Sequence, residues 1–189
     1  MIGIMATRDS AATKQRILNA ATAEFAEYGL AGARVDRIAI RAEANKQLIY
    51  AYFGNKEDLF DNALAANISL LLDTVPFTAD DLPEYAAALF DFAVAHPQLI
   101  RLARWHQLER PGVMNQLPET AASNALKLDA MAAAQQSGKI SDELPADQLL
   151  ALLLTLIHGG AETHIASEDG LAVQRETLVA GVRRLTFPT

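Results

Sequence analysis

The stretch Val35–Leu59, VDRIAIRAEANKQLIYAYFGNKEDL, leaves this chain little freedom of fold. Val35, Ile38 and Ala39 recur at helical spacing while Asp36, Arg37 and Arg41 fall on the opposite side, so the segment reads as a short amphipathic helix to about Ala42. Glu43-Ala44-Asn45 interrupts it. Asn45 is a good N-cap for a second short helix, Lys46 to about Phe53, with Leu48, Ile49 and Phe53 as its inner side. Gly54-Asn55 breaks the chain again. Asn55 can cap a longer helix from Lys56 to about Leu72, and Glu57 and Asp58 suit its positive N-terminal end. Short helix, tight turn, short helix is a helix-turn-helix, whose second member is the one shaped to enter a major groove.

The remainder is helical too. Ser10 or Thr13 can cap a first helix to about Tyr28, through Ile17, Leu18, Ala21 and Phe25, and Gly29 stops it. Val75-Pro76-Phe77-Thr78 is the clearest break. Beyond it the period predicts helices from Asp80 or Asp81 to about Ala95, Pro97 to about Glu109, Pro118 to Gln136, Ala146 to about Ile165 and Leu171 to Leu185. The run Leu149–Ile157 has no polar side over two turns. A helix apolar all round must be covered all round, one face by the core and another by a second subunit. No segment alternates as a half-buried strand does. The expectation is an all-α chain of about nine helices. A three-helix head, residues 10–56, continues into a helical body, residues 57–189.

Charge separates the two parts. Residues 1–56 hold 8 Lys/Arg against 5 Asp/Glu, a net +3; residues 57–189 hold 8 against 18, a net −10. A basic head on an acidic body lets the head approach phosphate while the body is repelled. The overall charge of −7 argues against a general nucleic-acid coat protein. There is no cysteine, which excludes disulfide and thiolate chemistry and fits a cytoplasmic protein. No apolar run approaches the ~20 residues that span a bilayer, and Met1–Met5 is too short for a signal peptide. No Ser/His/Asp spacing, phosphate loop or metal-ligand set points to catalysis, so no enzyme, cofactor or metal is expected.

The run Asn45-Lys46-Gln47-Leu48-Ile49-Tyr50-Ala51-Tyr52-Phe53-Gly54-Asn55-Lys56-Glu57-Asp58-Leu59-Phe60, with Ile38-Ala39 before it, resembles the DNA-binding domain of the tetracycline-repressor (TetR) family. The resemblance covers roughly residues 13 to 60. It implies a homodimeric transcriptional regulator, most often a repressor, that binds a pseudo-palindromic operator and is released by a small-molecule effector in its body. The expected DNA contacts are Arg34, Asn45, Lys46, Gln47, Tyr50, Tyr52 and Lys56. Gln47 can pair bidentately with adenine, and Lys46 can reach guanine or a phosphate. The hydroxyls of Tyr50 and Tyr52 suit phosphate oxygens, and Lys56 sits where helix dipole and charge both favour phosphate. The family's turn usually carries glycine where this chain has Glu43; a left-handed Glu costs about 1 kcal/mol relative to Gly.

In the body, the polar and aromatic candidates for an effector pocket are Tyr85, Phe92, His96, Arg101, Trp105, His106, His158 and Glu162. His158 and Glu162, at i and i+4, suit a polar floor under an apolar ligand. Leu149, Leu153, Leu156, Gly160, Leu178 and Val182 are the expected dimer face. The competing reading is a constitutive or architectural DNA-binding dimer whose body holds no ligand. The sequence favours the ligand-responsive form only through the resemblance.

Overall fold

Local signals in the sequence become helix ends in the computed structural model. It describes the backbone of residues 2–162 and 168–187, and the side chains of residues 10–159 and 169–187. Nine α-helices lie among these residues, with no strand: α1 Ile2–Gly32, α2 Val35–Arg41, α3 Lys46–Phe53, α4 Lys56–Thr74, α5 Leu82–Ala95, α6 Pro97–Glu109, α7 Pro118–Gln136, α8 Ala146–Glu162 and α9 Glu168–Thr186. The all-α expectation holds. The caps act as read: Asn45 Oδ1 accepts the Leu48 amide at 2.7 Å, Asn55 Oδ1 the Asp58 amide at 2.8 Å and Asp81 Oδ1 the Glu84 amide at 3.1 Å. Two features differ from expectation. α1 begins well before Ser10, and a single 3₁₀ turn, Met114–Gln116, sits in the stretch after Pro111-Gly112.

Packing groups the chain into two compact units, Met1–Ser69 with Pro97–Thr120, and Leu70–His96 with Ala121–Thr189. The first unit is built on α1, which packs on α2 and along the length of α6. Ile17, Phe25, Ile38, Ile49, Phe60 and Leu102 form its core, all essentially without solvent exposure. Burial of each such side chain stabilises the fold by about 1.5–3 kcal/mol. Phe25 and Phe60 meet at 4.8 Å between ring centres. α1 is broken at Gly29, where φ is +66°. A Cβ on Gly29 would lie 2.8 Å from Trp105 Cε3, so only glycine permits both the left-handed backbone and the approach of α6.

In the second unit α5 is the centre, packed on α8 and α9. Leu82, Phe90, Leu149, Leu153, Leu178 and Val182 are buried there. Arg175 on α9 holds Asp91 on α5 through three hydrogen bonds of 2.8 to 3.0 Å. The Ser141 amide donates to the Thr186 carbonyl at 2.8 Å, and Lys139 pairs with Asp80. α8 is apolar all round as read, but only one side meets this chain: Leu152 and Leu156 are 47% and 41% exposed.

Candidate nucleic-acid interface

The presented face of α3 follows from which of its side chains are buried. Ile49 and Phe53, four residues apart, are sunk into the first unit. Lys46, Gln47, Tyr50 and Ala51 are thereby turned outward. The N-terminal end of the helix, capped by Asn45, carries the donors Lys46 and Gln47 on its exposed surface. Tyr50 is 42% exposed. Tyr52 is half-buried: its hydroxyl accepts from Ser10 Oγ at 3.1 Å, and Lys14 Nζ lies 5.0 Å from its ring centre. That arrangement leaves the Tyr52 hydroxyl proton available to an outside acceptor. Arg34, the N-cap of α2, is exposed, and Lys56 at the start of α4 is half-exposed.

The cations of this face are not idle. Lys46 Nζ is paired with Asp36 of α2 at 2.9 Å, and the hydrogen bond to that carboxylate, then its charge, raise the lysine's pKa. Lys56 Nζ donates to the Ala31 carbonyl at 3.4 Å. Arg37 is fixed more firmly. Its guanidinium stacks 4.2 Å from the Tyr28 ring centre and donates to Glu24 at 2.6 and 2.7 Å. Glu24 is only 2% exposed and also accepts the Arg34 amide at 2.8 Å. Burial acts to raise its pKa; the bonds from Arg37 and the Arg34 amide, with the charges of Arg37 and Arg41, outweigh it and hold the carboxyl below its usual range. Glu24 belongs to no motif. Its one sequence signal is register, since Ile17, Ala21 and Glu24 share the buried stripe of α1.

Glu43 in the turn has φ +50°, the single non-glycine residue in the left-handed region among the described residues. The turn keeps the conformation that favours glycine, and Glu bears the strain. Amides of Glu43 and Ala44 close the turn on the carbonyls of Ile40 and Ala39. Arg16 of α1 donates to the Ala42 carbonyl at 3.3 Å and braces it from behind.

The expected effector residues divide between the two units. Trp105 and His106, read as pocket lining, are instead fastenings of α6 in the first unit. Trp105 packs on Gly29, and Glu109 accepts the Leu30 and Ala31 amides, the latter at 3.0 Å. His106 is fully buried against Phe60, and its Nε2–H donates to Asp61 of α4 at 2.9 Å. Arg110 grips the same carboxylate through two bonds of 2.7 Å. Arg101 is exposed. In the second unit Tyr85 and Phe92 are buried, whereas His96, stacked 4.2 Å from Phe92, is exposed at the end of α5. His158 is exposed, which removes it as a buried polar floor; the side chain of Glu162 lies outside the described residues. Two surface depressions, about 380 Å³ along α9 and about 300 Å³ between α5 and α9, contain none of these residues. Among the described residues no group of three acids or histidines is placed to hold a metal.

The expected dimer face needs correction. Leu149, Leu153, Leu178 and Val182 are 0–4% exposed within this one chain, so they have no surface left for a partner. An apolar pattern shows that a side chain is buried without showing what buries it. Of that set Leu156 remains outward, and Gly160 lies outside the residues whose side chains are described.

Comparison with known proteins bears on both units. Residues 17–63 match the family model for bacterial regulatory proteins of the tetR family, and residues 81–184 match that for the tetracyclin repressor-like C-terminal domain. The chain is 46% identical to the HTH-type transcriptional repressor SCO4008 of Streptomyces coelicolor, over 96% of this chain and 98% of that protein. It is 34% identical to the transcriptional regulator SCO4942 of the same organism, whose crystal structure superposes with a TM-score of 0.79 over 92% of this chain and 98% of that one. The fold also matches the regulator FadR of Bacillus subtilis, solved with stearoyl-CoA, at 18% identity and a TM-score of 0.72 over 89% and 96% of the two chains.

Proposed function

Because the chain belongs to the TetR family of DNA-binding transcriptional regulators, and is not an enzyme, we propose that it is a homodimeric repressor which reads a pseudo-palindromic operator through α3 and leaves it when a small molecule binds the body. The observation that carries this reading is the α3 face: Lys46, Gln47 and Tyr50 are outward on a helix pinned from behind by Ile49 and Phe53. Gln47 supplies base recognition, and Lys46 exchanges Asp36 for a guanine edge or a phosphate. Arg34, Tyr50, Tyr52 and Lys56 supply phosphate contacts that fix register. Asn45, exposed beside Lys46 and Gln47, caps α3 through its Oδ1 and keeps its amide NH2 for the contact expected of it.

Two heads must sit about one helical turn of DNA apart, about 34 Å, to enter successive major grooves. The outward residues of α8 and α9, Leu152, Leu156 and Val173, suit a self-complementary contact between two copies. α4 runs unbroken from Lys56 to Thr74, so a tilt set at one end moves Lys56 at the other. A coupling of about 1–3 kcal/mol between effector and operator is typical of such linkage. The FadR complex with stearoyl-CoA supports a body that holds an effector. No helix among the described residues is long and apolar enough to cross a membrane, which fits a cytoplasmic regulator.

Fluorescence anisotropy on DNA from upstream of the protein's own gene tests the reader. Lys46→Ala with Gln47→Ala is expected to abolish sequence-specific binding with helical content unchanged. Retained operator affinity removes α3 as the reading helix. Leu156→Asp, at an exposed position, is expected to give monomers by light scattering and to lose operator binding with them. An operator affinity that no cellular small molecule alters favours the constitutive binder instead.

A further inference from the structure

On α7 the buried positions are Lys127, Met131 and Ala134, the i, i+4 and i+7 stripe of an apolar face. A lysine leads that stripe. Its neighbours reverse the usual order, for Leu126 is 71% exposed and Leu128 is 37% exposed while Lys127 between them is 8% exposed. Turning the helix so that a leucine faced inward would hide apolar surface and release the charge to water. The fold does the opposite, at a cost in stability. Rule-breaking of this kind concentrates at functional positions.

The surroundings of Lys127 do not neutralise it. Among the described residues it has no hydrogen-bond or ion-pair partner; its Nζ lies over the ring of Tyr85 on α5, 5.9 Å from the ring centre. Tyr85 is itself buried, 6% exposed, with Phe77 edge-on to its ring at 4.9 Å, and its hydroxyl likewise has no partner among the described residues. Burial lowers the lysine pKa and raises that of the tyrosine.

We propose that Lys127 and the Tyr85 hydroxyl anchor the anionic group of an amphipathic effector, a molecule with an apolar body and one carboxylate, sulfonate or phosphate. This rests on reading the second unit as the effector-binding body. An anion supplies what the site lacks, a counter-charge for the ammonium and an acceptor for the hydroxyl. Phe77, edge-on to the Tyr85 ring, and Met131, one turn from Lys127 on α7, are the apolar neighbours for the body of the molecule. A cationic ligand is disfavoured, because the ammonium of Lys127 already occupies the aromatic face that a quaternary amine would seek.

Isothermal titration of the full chain with three ten-carbon probes tests the anchor: decanoate, decanol and decyltrimethylammonium. Decanoate is expected to bind about tenfold or more tighter than decanol, as a charge-assisted hydrogen bond provides, with decyltrimethylammonium weakest. Lys127→Met keeps the volume of the stem and brings decanoate down to the affinity of decanol, leaving decanol unchanged. Lys127→Arg keeps the preference for decanoate, and Tyr85→Phe weakens decanoate by about threefold. Equal decanoate affinity in wild type and Lys127→Met overturns the proposal. So does decanol or decyltrimethylammonium matching decanoate, and so does absence of decanoate binding to the wild type. Operator binding without any probe reports separately on the regulator reading. A preparation that ignores the operator but discriminates decanoate through Lys127 keeps the anchor and loses the regulator; the converse keeps the regulator and loses the anchor.

Discussion

The two units are held by different means. In the first, helices of seven and eight residues, too short to persist alone, are fastened end by end. Asn45 caps α3, Asn55 caps α4, Glu24 takes the Arg34 amide, and Glu109 takes two amides at the end of α1. In the second unit long helices meet through leucine, and its main polar ties, Asp91 with Arg175 and Asp80 with Lys139, lie in exposed or half-exposed positions. A polar fastening fixes position and direction together, as a surface that must fit DNA requires. Apolar packing fixes burial but tolerates alternatives, which suits the ligand-responsive body proposed above.

The strongest break in this contrast is Phe60→Ala. Phe60 is fully buried between Phe25 and His106, at 4.8 and 5.1 Å between ring centres. Its truncation is expected to cost about 3–5 kcal/mol in urea unfolding. Operator binding is then lost, because the cavity opens where α1, α4 and α6 meet; wild-type affinity in the variant would show that the head does not depend on that junction.

Next in size is Glu24→Ala, which leaves Arg37 and the Arg34 amide without their acceptor. The expected cost is about 2–3 kcal/mol, below the value for a fully buried pair because Arg37 is 40% exposed. The carboxyl is held below its usual 4.5, so it favours the folded state above that value. That contribution disappears as pH falls through the lowered folded-state value. Glu24→Gln is therefore expected to flatten the wild-type loss of stability on the acid side of pH 4.5, in unfolding curves taken at stepped pH. A parallel loss in both proteins would assign acid sensitivity to other carboxylates.

The same difference between the units decides how much was legible in the sequence. Caps and breakers act locally, so Asn45, Gly54 and Asn55 could be read at sight, and α3 and α6 begin and end where the sequence put them. Glu24 works across ten residues to the Arg34 amide and across thirteen to the Arg37 guanidinium; its role is set by contact between helices, for which a lone acid on a helix gives no sign. In the body the pattern of Leu149, Leu153, Leu178 and Val182 revealed burial but not the burying surface, which proved to be this chain itself. Trp105 and His106 look like ligand residues by type, yet they bolt α6 to α1 and α4. Lys127 was invisible, because a lysine flanked by leucines reads as a solvated position between two core ones.

Lys127→Met sharpens the contrast with the opposite sign. Removing a buried, unpaired charge is expected to stabilise the chain by about 1 kcal/mol in urea unfolding at neutral pH. The lysine's folded-state pKa lies below the usual 10.5, so its charge is a burden that is complete below the folded value. The burden lifts as pH rises from there toward 10.5, and the gain from Lys127→Met should shrink over that window. A variant less stable than the wild type at neutral pH would mean that the ammonium has a counter-charge in solution.

The smallest effect tests whether the head's precision is held against strain. Glu43 stands at φ +50° in the turn that sets the angle between α2 and α3. Glycine reaches that conformation without steric conflict, but its unfolded chain is freer, so the two terms partly cancel. Glu43→Gly is expected to stabilise the first unit by about 0.5–1 kcal/mol, and Glu43→Asn, which tolerates the left-handed region, by less. Both variants also remove a negative charge close to the reading helix, so operator affinity should rise at low salt and converge on the wild type as salt is added. A gain in affinity that persisted at high salt would instead mean that Glu43 holds the turn in a geometry the operator does not favour.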